Sequence, residues 1–238
     1  MQALFTGLYL GPVNNLLALM EEKFPELGLD IQDCTEMSWV ESALWFADFS
    51  KGESLGVLAN RKRTSLSFKG KDDFLQEPIP EAAIQALWRR LEAPEARLAK
   101  VILTPYGGKM SEIAEHETSF PHRKGNLYEI QYLAFWREEE DKNKMETEKY
   151  LKWVESVYNL MTPYVSKSPR RAYVNFMDLD LGMYLGKEET KYEEGKSWGV
   201  KYFKNNFERL VRVKTSVDPT DFFCDEQSIP LLKSVDDI

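Results

Sequence analysis

The run from Leu127 to Trp136 holds the side chains best arranged for chemistry. Its strict alternation sets Glu129 and Gln131 on one face and Tyr128, Ile130 and Tyr132 on the other. A carboxylate beside an amide suits proton abstraction, the carboxylate accepting the proton while the amide orients the donor by hydrogen bonding. A free glutamate titrates near pKa ~4.3, so it is ionised at neutral pH, and partial desolvation raises its basicity toward a useful range. By residue type alone, an exposed glutamate on the wet face of a sheet is the more ordinary reading of Glu129. A second polar pair follows Pro169. There Tyr173, Asn175 and Met177 alternate with Ala172, Val174 and Phe176, which predicts an extended strand with one polar and one mostly apolar face. That strand offers a phenol and an amide to a ligand, or to each other.

The remaining elements must position those groups. Gln2 to Leu10 suits a strand ended by Gly11-Pro12, and Val13, Leu16, Leu17, Met20 and Phe24 fall on one helical face closed by Pro25. Cys34 to Trp39 reads as a short strand, and Trp39, Trp45, Phe46 and Phe49 as core or cavity lining. Lys51 to Lys71 reads as loop and hairpin with a strand at Ser65 to Lys69. Pro80 opens a helix carrying Ile84, Leu87, Trp88 and Leu91. Lys100 to Thr104 returns as a strand into the turn Pro105 to Gly108. Glu138 to Tyr164 is a long surface helix with Met145, Leu151, Val154, Tyr158 and Met161 as its buried stripe. After an acidic loop, Trp198, Tyr202, Phe203, Asn206 and Leu210 recur at helical spacing, and Asp218-Pro219 stops that helix. Strands and helices alternating with such varied connections predict an α+β fold, a largely antiparallel sheet covered by helices.

Composition narrows the function. With 43% apolar and 13% aromatic residues, the 238-residue chain can build a sizeable core. Its 31 basic and 39 acidic side chains leave a net charge of −8, which disfavours nucleic acid as a partner. Cys34 and Cys224 are too few for a disulfide scaffold and read as two buried free thiols, and His116 and His122 lack the spacing of a zinc site, so no metal is expected. No apolar run reaches the eighteen or so residues of a membrane span. Met1-Gln2-Ala3 lacks a signal-peptide pattern, so the chain as written is expected in the cytoplasm.

Several motifs carry a family resemblance. They are the Tyr-x-Asn segment at Tyr173, W-G-x-K-Y-F at Trp198, N-F-x-R-L-x-x-V-K-x-x-x-D-P at Asn206 and F-F-x-x-E-Q-S-I-P at Phe222. Upstream, in the same order, stand FPELGL at Phe24, C-x-E-x-S-W at Cys34, PYGG at Pro105 and FPHRKGN at Phe120. Across essentially its whole length the chain resembles the C-terminal portion of the plant berberine bridge enzyme-like flavoproteins, FAD-linked oxidases of the vanillyl-alcohol-oxidase superfamily that include the cannabinoid acid synthases. The resemblance implies an incomplete substrate-binding domain over residues 1–168. It also implies a berberine-like C-terminal region over 169–238 that would fold against a flavin domain.

The resemblance further implies roles. Glu129 matches the general base of alkaloid-forming members, Gln131 a substrate-positioning glutamine of monolignol-oxidising members, and Tyr173 and Asn175 positions that contact the flavin. Phe176 stands where relatives have a tyrosine or histidine, and Thr104 where cannabinoid synthases have a tyrosine. Both are therefore expected to line the substrate site without moving a proton. The flavin-attaching histidine and cysteine of the family have no counterpart here, nor is there a G-x-G-x-x-G or P-loop. The expected function is a share of an FAD-dependent oxidase that passes a hydride from a small alcohol, sugar, phenolic or alkaloid to flavin, with O2 as the final acceptor and H2O2 released. The alternative is a truncated, flavin-free binding module that meets a missing flavin domain or associates with itself. Full-length relatives enter the secretory pathway.

Overall fold

The structure, a computed structural model, describes residues 2–47, 49–50, 52–60, 66–137, 144–184 and 191–232. Two compact units divide the chain, Met1–Thr64 and Ser65–Ile238. The division expected at 168/169 falls inside the second of them.

In the first unit, α1 (Val13–Lys23) forms at the expected one-face spacing but buries none of its residues. Gln2 to Leu10, expected as a strand, has no regular structure and no strand partner among the described residues; an extended segment without a partner leaves its backbone groups to water. Cys34 to Trp39 is not a strand either. Ser38 Oγ accepts from the Glu41 N–H at 3.3 Å, and Glu41 Oε2 accepts from the Ser38 N–H at 2.7 Å. This reciprocal capping starts a helix, α2 (Trp39–Phe46). Ser42 and Leu44 are its buried residues, whereas Trp39, Trp45 and Phe46 are exposed, contrary to the core role expected of them.

The second unit is built on three antiparallel strands, β1 (Leu66–Leu75), β2 (Lys100–Pro105) and β3 (Tyr128–Arg137), in the order β1-β3-β2. Between them run α3 (Glu81–Leu91) and a single helical turn, α4 (Lys109–Glu112). After β3 come α5 (Lys144–Met161), α6 (Lys191–Phe203) and α7 (Phe207–Val217). The α+β reading therefore holds. The predicted start of α5 at 138–143 and the acidic loop at 185–190 lie outside the described residues.

Alternation along β3 decides the layering. Ile130, Tyr132 and Ala134 are fully buried on one face and pack with Leu75 against Trp153, Val154, Val157 and Met161 of α5 and Leu87 of α3. Burying each large apolar side chain contributes ~1.5–3 kcal/mol. On that same face Asp73 accepts two bonds from Arg170, Nε at 2.6 Å and Nη2 at 2.5 Å, and one from the Tyr132 hydroxyl at 3.1 Å. The opposite face, carrying Glu129 and Gln131, has no such helical cover: its Leu133 and Phe135 are only half-buried.

The C-terminal motifs knit to one another through Gln227. Its backbone carbonyl accepts from Trp198 Nε1 at 3.0 Å, its Oε1 from the Tyr202 hydroxyl at 2.9 Å, and its Nε2 donates to the carbonyls of Asp178 at 2.9 Å and Gly182 at 2.5 Å. Asp178 in turn binds Lys69 at 2.8 Å and Lys71 at 2.6 Å, tying this region to β1. The α6–α7 elbow needs Gly199, because a Cβ there would stand inside the ring of Phe207. The single helix expected from Trp198 to Asp218 is therefore two, broken by the 3-10 turn Lys204–Asn206, and the second, α7, stops as expected before Asp218, whose carboxylate caps the backbone N–H groups of Phe222 and Phe223.

Candidate active site

The antiparallel register places the site residues. Glu129 lies opposite Phe74 on β1 and Thr104 on β2, and Gln131 opposite Asp72 and Ile102. Direct partners share a face, their Cβ atoms ~5 Å apart, so Glu129, Gln131, Thr104, Phe74 and Asp72 all project from the face opposite the helices, where Glu129, Phe74 and Asp72 are buried and Thr104 is exposed.

Glu129 is 2% exposed. Gln131 Nε2 donates to its Oε2 at 3.2 Å, while Oε1 is buried with no hydrogen-bond partner. Burial pushes the carboxyl up to about 7, against the opposing pull of Gln131 and Thr104, whose polar groups favour the ionised form. The glutamate is thus not the solvated surface residue that its type alone would favour. It is a desolvated acid poised near neutrality, a condition suited to accepting a proton.

Aromatic rings join this carboxylate to the C-terminal segment. Phe74 stacks on His122 at 4.0 Å and meets Tyr106 edge-on at 5.7 Å; Tyr106 approaches Phe120, Phe120 meets Tyr173, and Tyr173 meets Phe176, the last two at 5.3 Å. Offset and edge contacts of this kind favour fixed ring positions. His122 is fully buried, and its Nε2 lies 2.9 Å from the Tyr202 carbonyl, so Nε2 carries the proton. Burial drops its pKa to about 3, which keeps it neutral and makes it a wall of the site rather than an acid.

Tyr173 and Asn175 do come beside the strand pair, but not as a strand. Val174–Phe176 is a 3-10 turn closed by Phe176 N–H to the Tyr173 carbonyl at 2.9 Å. The neighbouring N–H groups are committed elsewhere, Ala172 to the Lys201 carbonyl and Tyr173 to Asp72 Oδ2 at 2.7 Å. Three of the N–H groups that a strand ladder would draw on are thus taken, which is why the alternating pattern misleads. Asn175 Nδ2 donates to the Tyr173 hydroxyl at 2.8 Å, so the two polar side chains satisfy each other at an exposed position. Phe176 closes the aromatic row and Thr104 sits exposed across from Glu129.

Asp72, Phe74, Tyr106, Phe120 and His122 were missed as site residues. For Asp72 a signal existed: two successive aspartates inside a strand must point to opposite faces, so one of them had to share the face of Glu129. No group of three or more histidine, cysteine or carboxylate side chains able to hold a metal occurs among the described residues.

The site is thus a helix-backed antiparallel sheet that carries a desolvated, incompletely bonded carboxylate on the face opposite the helices. Comparison gives the family. A family model described as berberine and berberine-like matches residues 172–230. Berberine bridge enzyme-like 28 of Arabidopsis thaliana is 84% identical over 98% of this chain and 44% of its own length, and its solved structure has a TM-score of 0.89, covering 94% of this chain and 46% of that one. Tetrahydroberberine oxidase of Berberis wilsoniae is 48% identical over 97% of the chain and 43% of its own length. A berberine bridge enzyme solved with (S)-reticuline is 39% identical with a TM-score of 0.82, covering 93% of this chain and 44% of that one. The chain belongs to the berberine bridge enzyme-like family of oxidoreductases, and it spans less than half the length of these relatives.

Proposed function

We propose that the protein is an FAD-linked oxidoreductase that oxidises a small plant metabolite, an alcohol, sugar, phenolic or alkaloid, with Glu129 as the base. What supports this reading above all is the buried Glu129 carboxyl, brought to about 7 with Oε1 left without a hydrogen-bond partner. The names of its relatives, an oxidase of tetrahydroberberine and an enzyme bound to (S)-reticuline, support the substrate class.

The residues fit a flat, partly aromatic group laid over the face that carries Glu129. The half-buried rings of the row, Tyr106, Phe120, Tyr173 and Phe176, offer their edges, and Tyr173 with Asn175 stands at its end as the pair that would border the flavin. FAD, when bound, supplies the acceptor for the two electrons of the C–H bond. The chain's own part is to hold the substrate and take its proton. Glu129 Oε1 accepts that proton from the substrate's O–H or N–H as the hydride leaves the adjacent carbon. Gln131, bonded to Oε2, fixes the orientation of the carboxylate. Thr104 and Phe176 line the space and, having no group that titrates near neutrality, leave proton transfer to Glu129. Oxygen is the final electron acceptor and leaves as hydrogen peroxide.

The test is anaerobic single-turnover reduction in the longest polypeptide in which this chain is made. Glu129→Gln slows flavin reduction by ~10²–10⁴, the usual worth of a general base. Reduction at the wild-type rate would remove Glu129 from the mechanism, and a protein that carries no flavin would favour a binding module instead.

A further inference from the structure

Asp72 is the second carboxylate on the face opposite the helices, and nothing in the proposed chemistry uses it. It is 3% exposed, beside a Glu129 that is 2% exposed. Its Oδ2 accepts from the Tyr173 N–H at 2.7 Å, while Oδ1 is buried with no partner. Neither carboxylate has a cation partner among the described residues. Lys69 and Lys71 are spent on Asp178 and Asp180, and Arg170 on Asp73. Arg123, from the loop before β3, turns to Phe120, Met110 and Thr118. Arg171, on the segment whose Tyr173 N–H bonds Asp72, turns its Nη1 to Asn126. The phenol of Tyr106 lies near both carboxylates, and Asp73 and Asp178 add further negative charge nearby. Two desolvated carboxylates on one face without a cation do not both ionise.

The register adds the connection. Asp72 is the direct cross-strand partner of Gln131, and Gln131 donates to Glu129. An ionised Asp72 would compete for the Gln131 NH2 group and draw the amide round, leaving its oxygen toward Glu129. A protonated Asp72 does the reverse, since its O–H can donate only to the amide oxygen, which leaves the NH2 for Glu129.

Resting on the reading of Glu129 as the base, we propose that Asp72 is a positioning residue. It carries a proton at neutral pH, donates it in a hydrogen bond to Gln131 Oε1, and so fixes the amide with Nε2 on Glu129, leaving Glu129 the one group of the pair that exchanges its proton. The direction of titration agrees: burial raises Asp72 well above the ordinary aspartate value, and the negative charges of Glu129, Asp73 and Asp178 push the same way.

Infrared difference spectroscopy on the longest natural form of the protein, in H2O and D2O near pH 8, reads the proton directly. The wild type shows a deuterium-sensitive protonated-carboxyl band that persists in Glu129→Gln and is lost in Asp72→Asn. Absence of the band from the wild type, or its survival in Asp72→Asn, overturns the proposal. A second reading comes from the pH profile of flavin reduction. Replacing a neutral Asp72 with the neutral, isosteric asparagine leaves the apparent pKa of the base in place, whereas a downward shift would mean that a negative charge had been removed, and would sink the idea. Failure of the base reading is separable, because unchanged reduction in Glu129→Gln discards Glu129 while the infrared band still reports on Asp72.

Discussion

Thr104 and Glu129 are direct register partners on β2 and β3, so a hydroxyl and a buried carboxyl stand side by side on the sheet face opposite the helices. Together with Gln131 the hydroxyl draws the glutamate's pKa down, and burial wins only in part.

Removing either helper should therefore move the base upward. Thr104→Val and Gln131→Met each take away a group that favours the ionised glutamate. The acid limb of the pH profile for flavin reduction is expected to shift to higher pH in both variants, with the rate at pH 6 falling more than the rate at pH 9. A profile that stayed in place would show that these side chains do not tune Glu129.

The same carboxyl makes stability depend on pH. Its folded value, about 7, lies above the ordinary 4.5, so the native state holds a proton that the unfolded chain releases. Stabilisation from that proton is fully present below about pH 4.5 and is lost as pH rises to about 7. A shift of this size corresponds to at most ~3 kcal/mol. Relative to the wild type, Glu129→Gln should gain stability between pH 5 and pH 8, read as a urea midpoint that moves apart from that of the wild type as pH rises. A constant difference between the two proteins across that range would contradict the linkage.

Behind the site, Arg170 and the fully buried Asp73 hold the segment after α5 against β1. Arg170→Met leaves Asp73 buried without its cation and should cost ~3–5 kcal/mol. In the double variant Arg170→Met, Asp73→Asn the cost should be smaller, because no unpaired charge remains. A double variant as unstable as the single one would show that packing of the guanidinium over Tyr158, 3.3 Å from the ring centroid, carries the effect instead.

At the α6–α7 elbow, Gly199→Ala drives a methyl group into Phe207. Overpacking of this kind costs ~1–3 kcal/mol. The denaturation midpoint should drop, and adding Phe207→Leu should recover part of the loss. An alanine variant as stable as the wild type would mean that the two helices separate easily.

Much of the molecule could be read from local pattern. Alternation in β3 reports which side chains share a face, because the strand period is two wherever the strand lies. The Asp218-Pro219 stop of α7 is equally local, whereas the stripe expected on α5 holds only in part: Val154, Tyr158 and Met161 face the core, but Met145 and Leu151 are exposed. The Ser38–Glu41 capping pair is local too, although Ser38 by itself reads as part of a Cys34–Trp39 strand. The chain order of motifs at Trp198, Asn206 and Phe222 was enough to suggest the family.

Tertiary structure decided the rest, since burial and hydrogen-bond supply depend on residues far apart in the chain. Tyr173 to Phe176 alternates like a strand, yet Asp72 and the end of α6 take N–H groups that a ladder would need. Glu129 is ionisable by its type, but its rise to about 7 comes from the loops and strands that close around it. Asp72 becomes its companion only through the β1–β3 register, which brings two carboxylates onto one desolvated face with no cation between them. Sequence alone determined which groups could do chemistry and on which face of β3 they lie. Their degree of desolvation, their partners and their protonation were set by the long-range contacts of the folded chain.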